Sequence, residues 1–275
     1  MTSSQSKLSF NNPPLKEVSF SIQFEPISSF HIGFIGLLWD KYRDRYPKVE
    51  TAEEATQQIE KFGIISRKQP PFPFKFIEET PVPRTLFVSA DAQHVIQIQK
   101  DRFIFNWRKI FDENLRYPRY SNVKKKLFEE FEVFTNFLTA NGLESPRYNQ
   151  VEVIYVNHID ANIRSIDSVF VGAVGESQFS SSLNLEAFSI NLKHVIQRDS
   201  ENIGRLYTSI NKASRISDGV EIYDLKFIVR LNPNEPSIAG VMDAMDIARM
   251  EINSSFEAVT TKEMHDEWNR EDSKS

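Results

Sequence analysis

Gln97-Ile98-Gln99-Lys100-Asp101-Arg102-Phe103-Ile104-Phe105-Asn106-Trp107-Arg108 reads as a tight β-hairpin whose two faces have opposite chemistry. A two-residue turn at Lys100-Asp101 sets Gln99 opposite Arg102, Ile98 opposite Phe103 and Ile96 opposite Phe105, with His94 opposite Trp107. Side chains alternate along a strand, so one face collects His94, Ile96, Ile98, Phe103, Phe105 and Trp107. The other face carries Val95, Gln97, Gln99, Arg102, Ile104, Asn106 and Arg108. The first face predicts core. The second, rich in amide and guanidinium donors, is a candidate contact surface.

Working outward, a strand over 84–90 precedes the hairpin and a helix over 122–140 follows it. The stripe Val123, Leu127, Phe131, Phe134 and Leu138 marks the buried side of that helix, and Asn141-Gly142 ends it. Upstream, Val18, Phe20, Ile22 and Phe24 alternate with polar residues in a half-buried strand. The pair Ser28-Ser29 then suits the cap of a helix running to about Tyr46. Gly33 and Gly36 inside that helix suggest close approach to a sheet. Residues 51–62 suggest a short acidic helix, and the proline-rich 66–83 is neither helix nor central strand.

Beyond Pro146 the pattern restarts. A strand at 151–158 is followed by a short helix within 163–171 and by strands at about 183–197, 204–214 and 219–231. Ser217-Asp218-Gly219 suits the turn between the last two. Helices over 237–255 and from a capping box at Thr260 and Glu263 complete the chain. The predicted architecture is therefore α+β: a disordered lead over 1–15, then two β-α-β-β-β-α halves at 16–145 and 146–270. In each, an antiparallel meander packs against helices.

Composition narrows the function classes. The 275 residues are 40% hydrophobic and 26% charged, with 22 phenylalanines against 9 glycines, enough aromatic surface for a large core. The absence of cysteine excludes disulfides, thiol catalysis and cysteine-ligated zinc, and fits a cytoplasmic setting. The polar N-terminus shows no secretory signal, and no apolar run is long enough for a bilayer. A net charge of −5 argues against a protein that coats nucleic acid with its whole surface.

A local basic run stands out against that charge. From Lys100 to Lys126 there are nine Lys or Arg, including Arg102, Arg108, Arg116, Arg119 and Lys124, against three acids. Trp107, Tyr117 and Tyr120 are interleaved with them, and guanidinium forks with aromatic faces suit phosphate and bases. The candidate binding residues are Gln97, Gln99, Arg102, Asn106, Arg108, Arg116, Arg119 and Lys124. The bland alternative is a solvated basic face. As weak catalytic candidates, Asp224 and Lys226 form an Asp-x-Lys pair downstream of Asp218 and Glu221, as in metal-dependent nucleases. The five histidines show no ligand spacing, and no phosphate-cradling loop or dinucleotide fingerprint is present. No metal or cofactor is expected. Asp243 and Asp246 with Arg249 read as ordinary surface pairing along a helix.

The chain resembles a sporadically distributed bacterial family of proteins of unknown function. The resemblance rests on Asn12-Pro13-Pro14-Leu15 with Glu17-Val18, Gln97-Ile98-Gln99, Asp101-Arg102-Phe103 and Asn106-Trp107-Arg108. It continues through Tyr117-Pro118-Arg119-Tyr120, Tyr155-Val156-Asn157 with Ile159, and Phe256, Thr260-Thr261 and Trp268. It implies no activity or catalytic residue, and its patchy distribution suggests an accessory of a mobile defence or toxin–antitoxin locus. The expectation is a non-enzymatic binding module contacting a protein partner or nucleic acid. The alternative is a metal-dependent phosphodiesterase at Asp224.

Overall fold

The computed structural model describes residues 9–62, 82–110, 115–172, 186–216 and 218–271. Its N-terminal elements are β1 (Ser9–Phe10), β2 (Leu15–Phe24), α1 (Ile32–Asp40), β3 (Lys48–Ala52), β4 (Arg84–Val88), β5 (His94–Gln99), β6 (Arg102–Arg108) and α2 (Tyr120–Ala140). The second half supplies β7 (Tyr148–Asp160), α3 (Ile166–Val169), β8 (Ser189–Arg198), β9 (Glu201–Ser214), β10 (Glu221–Leu231) and α4 (Ile238–Val259). A terminal α5 (Lys262–Glu267) and β11 (Arg270–Glu271) follow. The fold is α+β, with helices packed on one antiparallel sheet.

That sheet has nine strands in the order β3-β4-β5-β6-β2-β7-β10-β9-β8. The opening strands of the two halves, β2 and β7, pair antiparallel at its middle, with Phe20 opposite Val153. Outward from each lies the last strand of its own meander, then the third, then the second. The halves therefore share a topology, and β3 is an extra edge strand beside β4. The hairpin register is the one the alternation predicts: His94 opposite Trp107, Ile96 opposite Phe105, Ile98 opposite Phe103, and Gln99 opposite Arg102.

One face of the sheet is the core. Phe20, Ile22, Phe103, Phe105, Val153, Leu225 and Phe227 are fully buried there. Helix α2 lies on the N-terminal half, with the Phe131 and Phe134 rings 5.2 and 5.6 Å from Phe103. Helix α4 packs on β7 and β10. Deep in this layer Glu130 of α2 accepts from Tyr46 Oη at 3.0 Å and Arg45 Nη2 at 2.8 Å, while its carbonyl accepts from Tyr42 Oη at 2.6 Å. The charge is buried but fully partnered, as burial requires.

The opposite face departs from expectation. Gln99, Arg102 and Asn106 are 2–5% exposed, and Val95, Ser21 and Ile104 are also buried. Residues 53–62, expected as an acidic helix, run instead as an irregular strap across one end of the sheet. Glutamine side chains hold it by copying the pattern of a neighbouring strand. Gln99 accepts from the Ala55 N–H at 2.8 Å and donates to its carbonyl at 3.1 Å. Gln23 does the same for Gln58, and Gln150 accepts from the Glu60 N–H at 2.9 Å. Arg102 Nη2 donates to Thr56 O at 3.1 Å and to Gln23 Oε1 at 2.6 Å. The Glu60 carboxylate ends the strap between Arg205 and the Tyr207 hydroxyl. Backbone groups satisfied by side chains have no need of a helix.

Other boundaries shift for local reasons. Helix α1 starts three residues after Ser29 because His31 Nδ1 accepts from the Gly33 N–H at 3.1 Å, while Ser28 turns to Glu144. Gly36 does not approach the sheet; its α-carbon faces open space. Helix α5 is capped by Thr261, one residue later than expected, with Thr261 Oγ1 accepting from Met264. Of the predicted disordered lead, Ser9 and Phe10 pair with β11 and Leu15 begins β2. Most of the proline-rich 66–83, and Ser217 of the predicted turn, lie outside the described residues.

Candidate functional site

The basic run does not form one surface. Arg102 lies under the strap. Gln97 Nε2 donates to Asn106 Oδ1 at 2.8 Å, Asn106 Nδ2 donates to Glu17, and Arg108 Nη2 donates to Ala92 O at 3.1 Å. Lys124 pairs with Asp246 at 2.8 Å, Arg119 with Glu271 at 3.2 Å, and Lys125 with Glu129 at 3.7 Å. All three acids come from outside the interval 100–126, where the sequence count could not see them. Arg116 is exposed. The hairpin's polar face thus serves mainly the protein's own strap and strands.

The nuclease-like acids do not assemble either. Asp224 lies 3.8 Å from His158 Nε2, Asp218 pairs with Arg215, and Glu221 pairs with Lys212. Lys226 projects from the same face of β10 as Asp224, opposite Val156 and Ser209. Among the described residues no group of three or more acidic or histidine side chains is placed to hold a metal ion.

A different place gathers residues from both ends and both halves of the chain. A cavity of about 290 Å³ lies between the segment 9–15, the start of α2, β7 and α4. Phe10, Pro13, Leu15, Ile252 and Phe256 give it apolar walls. Its polar lining comes from Tyr117, Tyr155, Asn157, Ser121, Asn253, Arg119 and Arg249. The strand β7 alternates Val151, Val153, Tyr155 and Asn157 toward the helices, and its last two such residues reach the cavity floor. Helix α4 brings Arg249, Ile252, Asn253 and Phe256 to the wall at helical spacing.

The electrostatics of the cavity are one-sided. Its lining has two arginines and no aspartate, glutamate or histidine. Asp246, the expected partner of Arg249, is taken by Tyr120 Oη at 2.7 Å and by Lys124. The Arg249 guanidinium lies 4.7 Å from the centroid of the Tyr120 ring and has no ion pair among the described residues. Such stacking fixes a cation without neutralising it. Tyr155 is buried and Tyr117 partly buried, with hydroxyls 3.4 Å apart. Burial pushes both phenols above the ordinary tyrosine value, outweighing the opposite pull of Arg249. They remain neutral hydroxyls, able to donate or accept. Asn157 is 3% exposed, and its Nδ2 donates to Leu225 O at 3.2 Å. No described residue donates to its Oδ1.

The roof is made from the two ends of the described chain. Arg119 Nη1 donates to Ser9 Oγ and to Phe10 O at 3.1 Å, while Phe10 packs on Phe256 at 5.5 Å and on Trp268 at 6.1 Å. Of the candidates named from sequence, only Arg119 lines this cavity. From sequence Arg249 reads as a surface partner of Asp243 and Asp246, and Asn157 as a strand residue, because their role depends on which acids and carbonyls the fold assigns elsewhere. No protein-family model matches the chain, and no curated protein does.

Proposed function

We propose that the protein is a non-enzymatic binding module that holds a small organic anion in the cavity beneath the β1–β11 roof. The observation that carries this reading is Arg249: a guanidinium without an acidic partner, in a cavity whose lining has no negative charge. A half-buried cation without a counterion is expensive, and an anionic ligand supplies the missing charge. The cavity's size is at the lower end of small-molecule sites, with apolar walls and a few convergent polar groups. Segments on which the family resemblance rests, including Tyr117–Tyr120 and Tyr155–Asn157, also border it. Neutral tyrosines and the acid-free lining favour capture over proton-transfer chemistry.

The test is calorimetric titration with benzoate and with benzylamine, which share a ring and differ in charge. Benzoate is expected to bind and benzylamine to give no saturable heat. Arg249→Met is expected to weaken benzoate roughly ten- to a hundredfold, the range for losing a charge-assisted hydrogen bond. Equal binding of the two compounds, or an unchanged benzoate affinity in Arg249→Met, would overturn the reading.

A further inference from the structure

Resting on that reading, we infer that the ligand class is a small aromatic acid that also carries a hydrogen-bond donor, with Asn157 as the residue that reads the donor. Two features beyond the charge of Arg249 lead here. The Asn157 carboxamide is oriented by its own bond, since Nδ2 is committed to Leu225 O at 3.2 Å. Its oxygen is therefore left as a fixed acceptor in a cavity that the same side chain lines. The residue is 3% exposed and lines the cavity. A ligand that fills the cavity takes the water from this acceptor, so one that donates to it is favoured over one that does not.

The second feature is shape. The Tyr120 ring and the guanidinium stacked on it give one flat wall, and Phe10, Phe256, Ile252 and Leu15 supply apolar surface around the remaining space. Aromatic rings pack on such walls face-on or edge-on with little loss of internal freedom, whereas a flexible alkyl acid must freeze several torsions. Arg249 and Asn157 come from different elements, α4 and β7, so one ligand touching both must carry its acid and its donor at separate positions.

The experiment compares benzoate, its meta- and para-hydroxy derivatives and hexanoate on the full chain, with Asn157→Leu as the variant. At least one hydroxybenzoate is expected to bind about fivefold to tenfold more tightly than benzoate, the worth of one neutral hydrogen bond. Asn157→Leu is expected to erase that preference while benzoate still binds. Benzoate binding as tightly as both hydroxy derivatives overturns the donor requirement. Hexanoate binding as tightly as benzoate overturns the aromatic class. In either case the anion reading stands, whereas binding of none of the four removes both. The ligand series on the wild-type protein decides the matter even where Asn157→Leu does not fold.

Discussion

Gln23 and Gln58 are joined twice: the Gln23 side-chain nitrogen donates to the Gln58 carbonyl at 3.2 Å, and the Gln58 N–H donates to the Gln23 side-chain oxygen at 3.1 Å. The same oxygen accepts from Arg102 Nη2 at 2.6 Å. Gln23→Leu keeps the volume and removes these three bonds and a fourth, from the Gln23 side-chain nitrogen to Asn149 Oδ1 at 3.1 Å, leaving buried partners unsatisfied. The expected cost is about 2–3 kcal/mol of stability. It should show as a lower denaturant midpoint and as faster amide exchange confined to residues 55–60. Unchanged exchange there would mean that the strap is held by something other than its glutamines.

Two glycines predict opposite signs for the same substitution. A Cβ on Gly204 of β9 meets the Arg230 carbonyl and the Leu231 side chain, both inside van der Waals contact. Gly204→Ala is expected to destabilise by about 2 kcal/mol or more, because a central strand has to move. Gly36 of α1 is exposed, with nothing within 4 Å of an added Cβ. Gly36→Ala is expected to stabilise by about 0.5–1 kcal/mol through helix propensity alone. Paired unfolding curves of the two variants test both claims.

The pH dependence on the alkaline side follows from the buried phenols. Burial raises Tyr42, Tyr46, Tyr117, Tyr120 and Tyr155 above the ordinary value, and Glu130 adds to the effect at the first two. A group whose folded pKa is raised contributes stability that is full below its unfolded pKa and is lost as pH rises above it. Stability should therefore fall as pH climbs past about 10. Tyrosinate absorbance should rise together with loss of the circular-dichroism signal; five phenols titrating in a folded protein would contradict this.

On the acid side, His265 behaves in the opposite sense. It is buried, its Nε2 lies 2.8 Å from Thr260 Oγ1, and burial lowers its pKa, with Arg270 adding to the shift. Its neutral form is the folded form, so stability is full above the unfolded histidine value of about 6.5 and falls as pH drops below it. His265→Gln is expected to flatten the decline of the unfolding midpoint below that pH. An identical slope in the variant would show that His94, whose pKa is also lowered by burial, carries the dependence instead.

The hairpin was legible in the sequence because a strand's two-residue period is local, and the core face announces itself in Ile96, Ile98, Phe103 and Phe105. The strap was not. Its acidic composition suits a helix, and it is distant side chains, Gln23, Gln99 and Gln150 with Arg102 and Arg205, that hold it extended. The candidate cavity was hidden for a similar reason. Asp246 sits one turn before Arg249, and local spacing assigns the two to each other. The fold instead turns Asp246 to Tyr120 and Lys124, 126 and 122 residues away in sequence. A charge becomes available for function when its nearest sequence partner is engaged elsewhere, and that is a property of topology.

Arg119 joins backbone strain to the roof of the cavity. Its φ of 75° and ψ of 149° lie in a region that is essentially glycine's own, and they persist at the start of α2 without a side-chain cap. Conformations of this kind cost about 1–3 kcal/mol and survive where surrounding contacts enforce them. Here those contacts are the bonds from the guanidinium to Ser9, Phe10 and Asn11 and the ion pair with Glu271. Arg119→Ala loses the contacts and keeps the strain; Arg119→Gly loses the contacts and relieves it. Arg119→Gly is therefore expected to be the more stable of the two variants by about 1 kcal/mol or more, although glycine ordinarily destabilises a chain relative to alanine. Both variants should exchange amides faster at 9–12 and 268–271, since both release the clasp of β1 on β11. Were Arg119→Ala the more stable variant, the backbone at 119 would have relaxed once its side chain was gone. The guanidinium clasp would then be the cause of the unusual geometry, and the turn into α2 would not demand it.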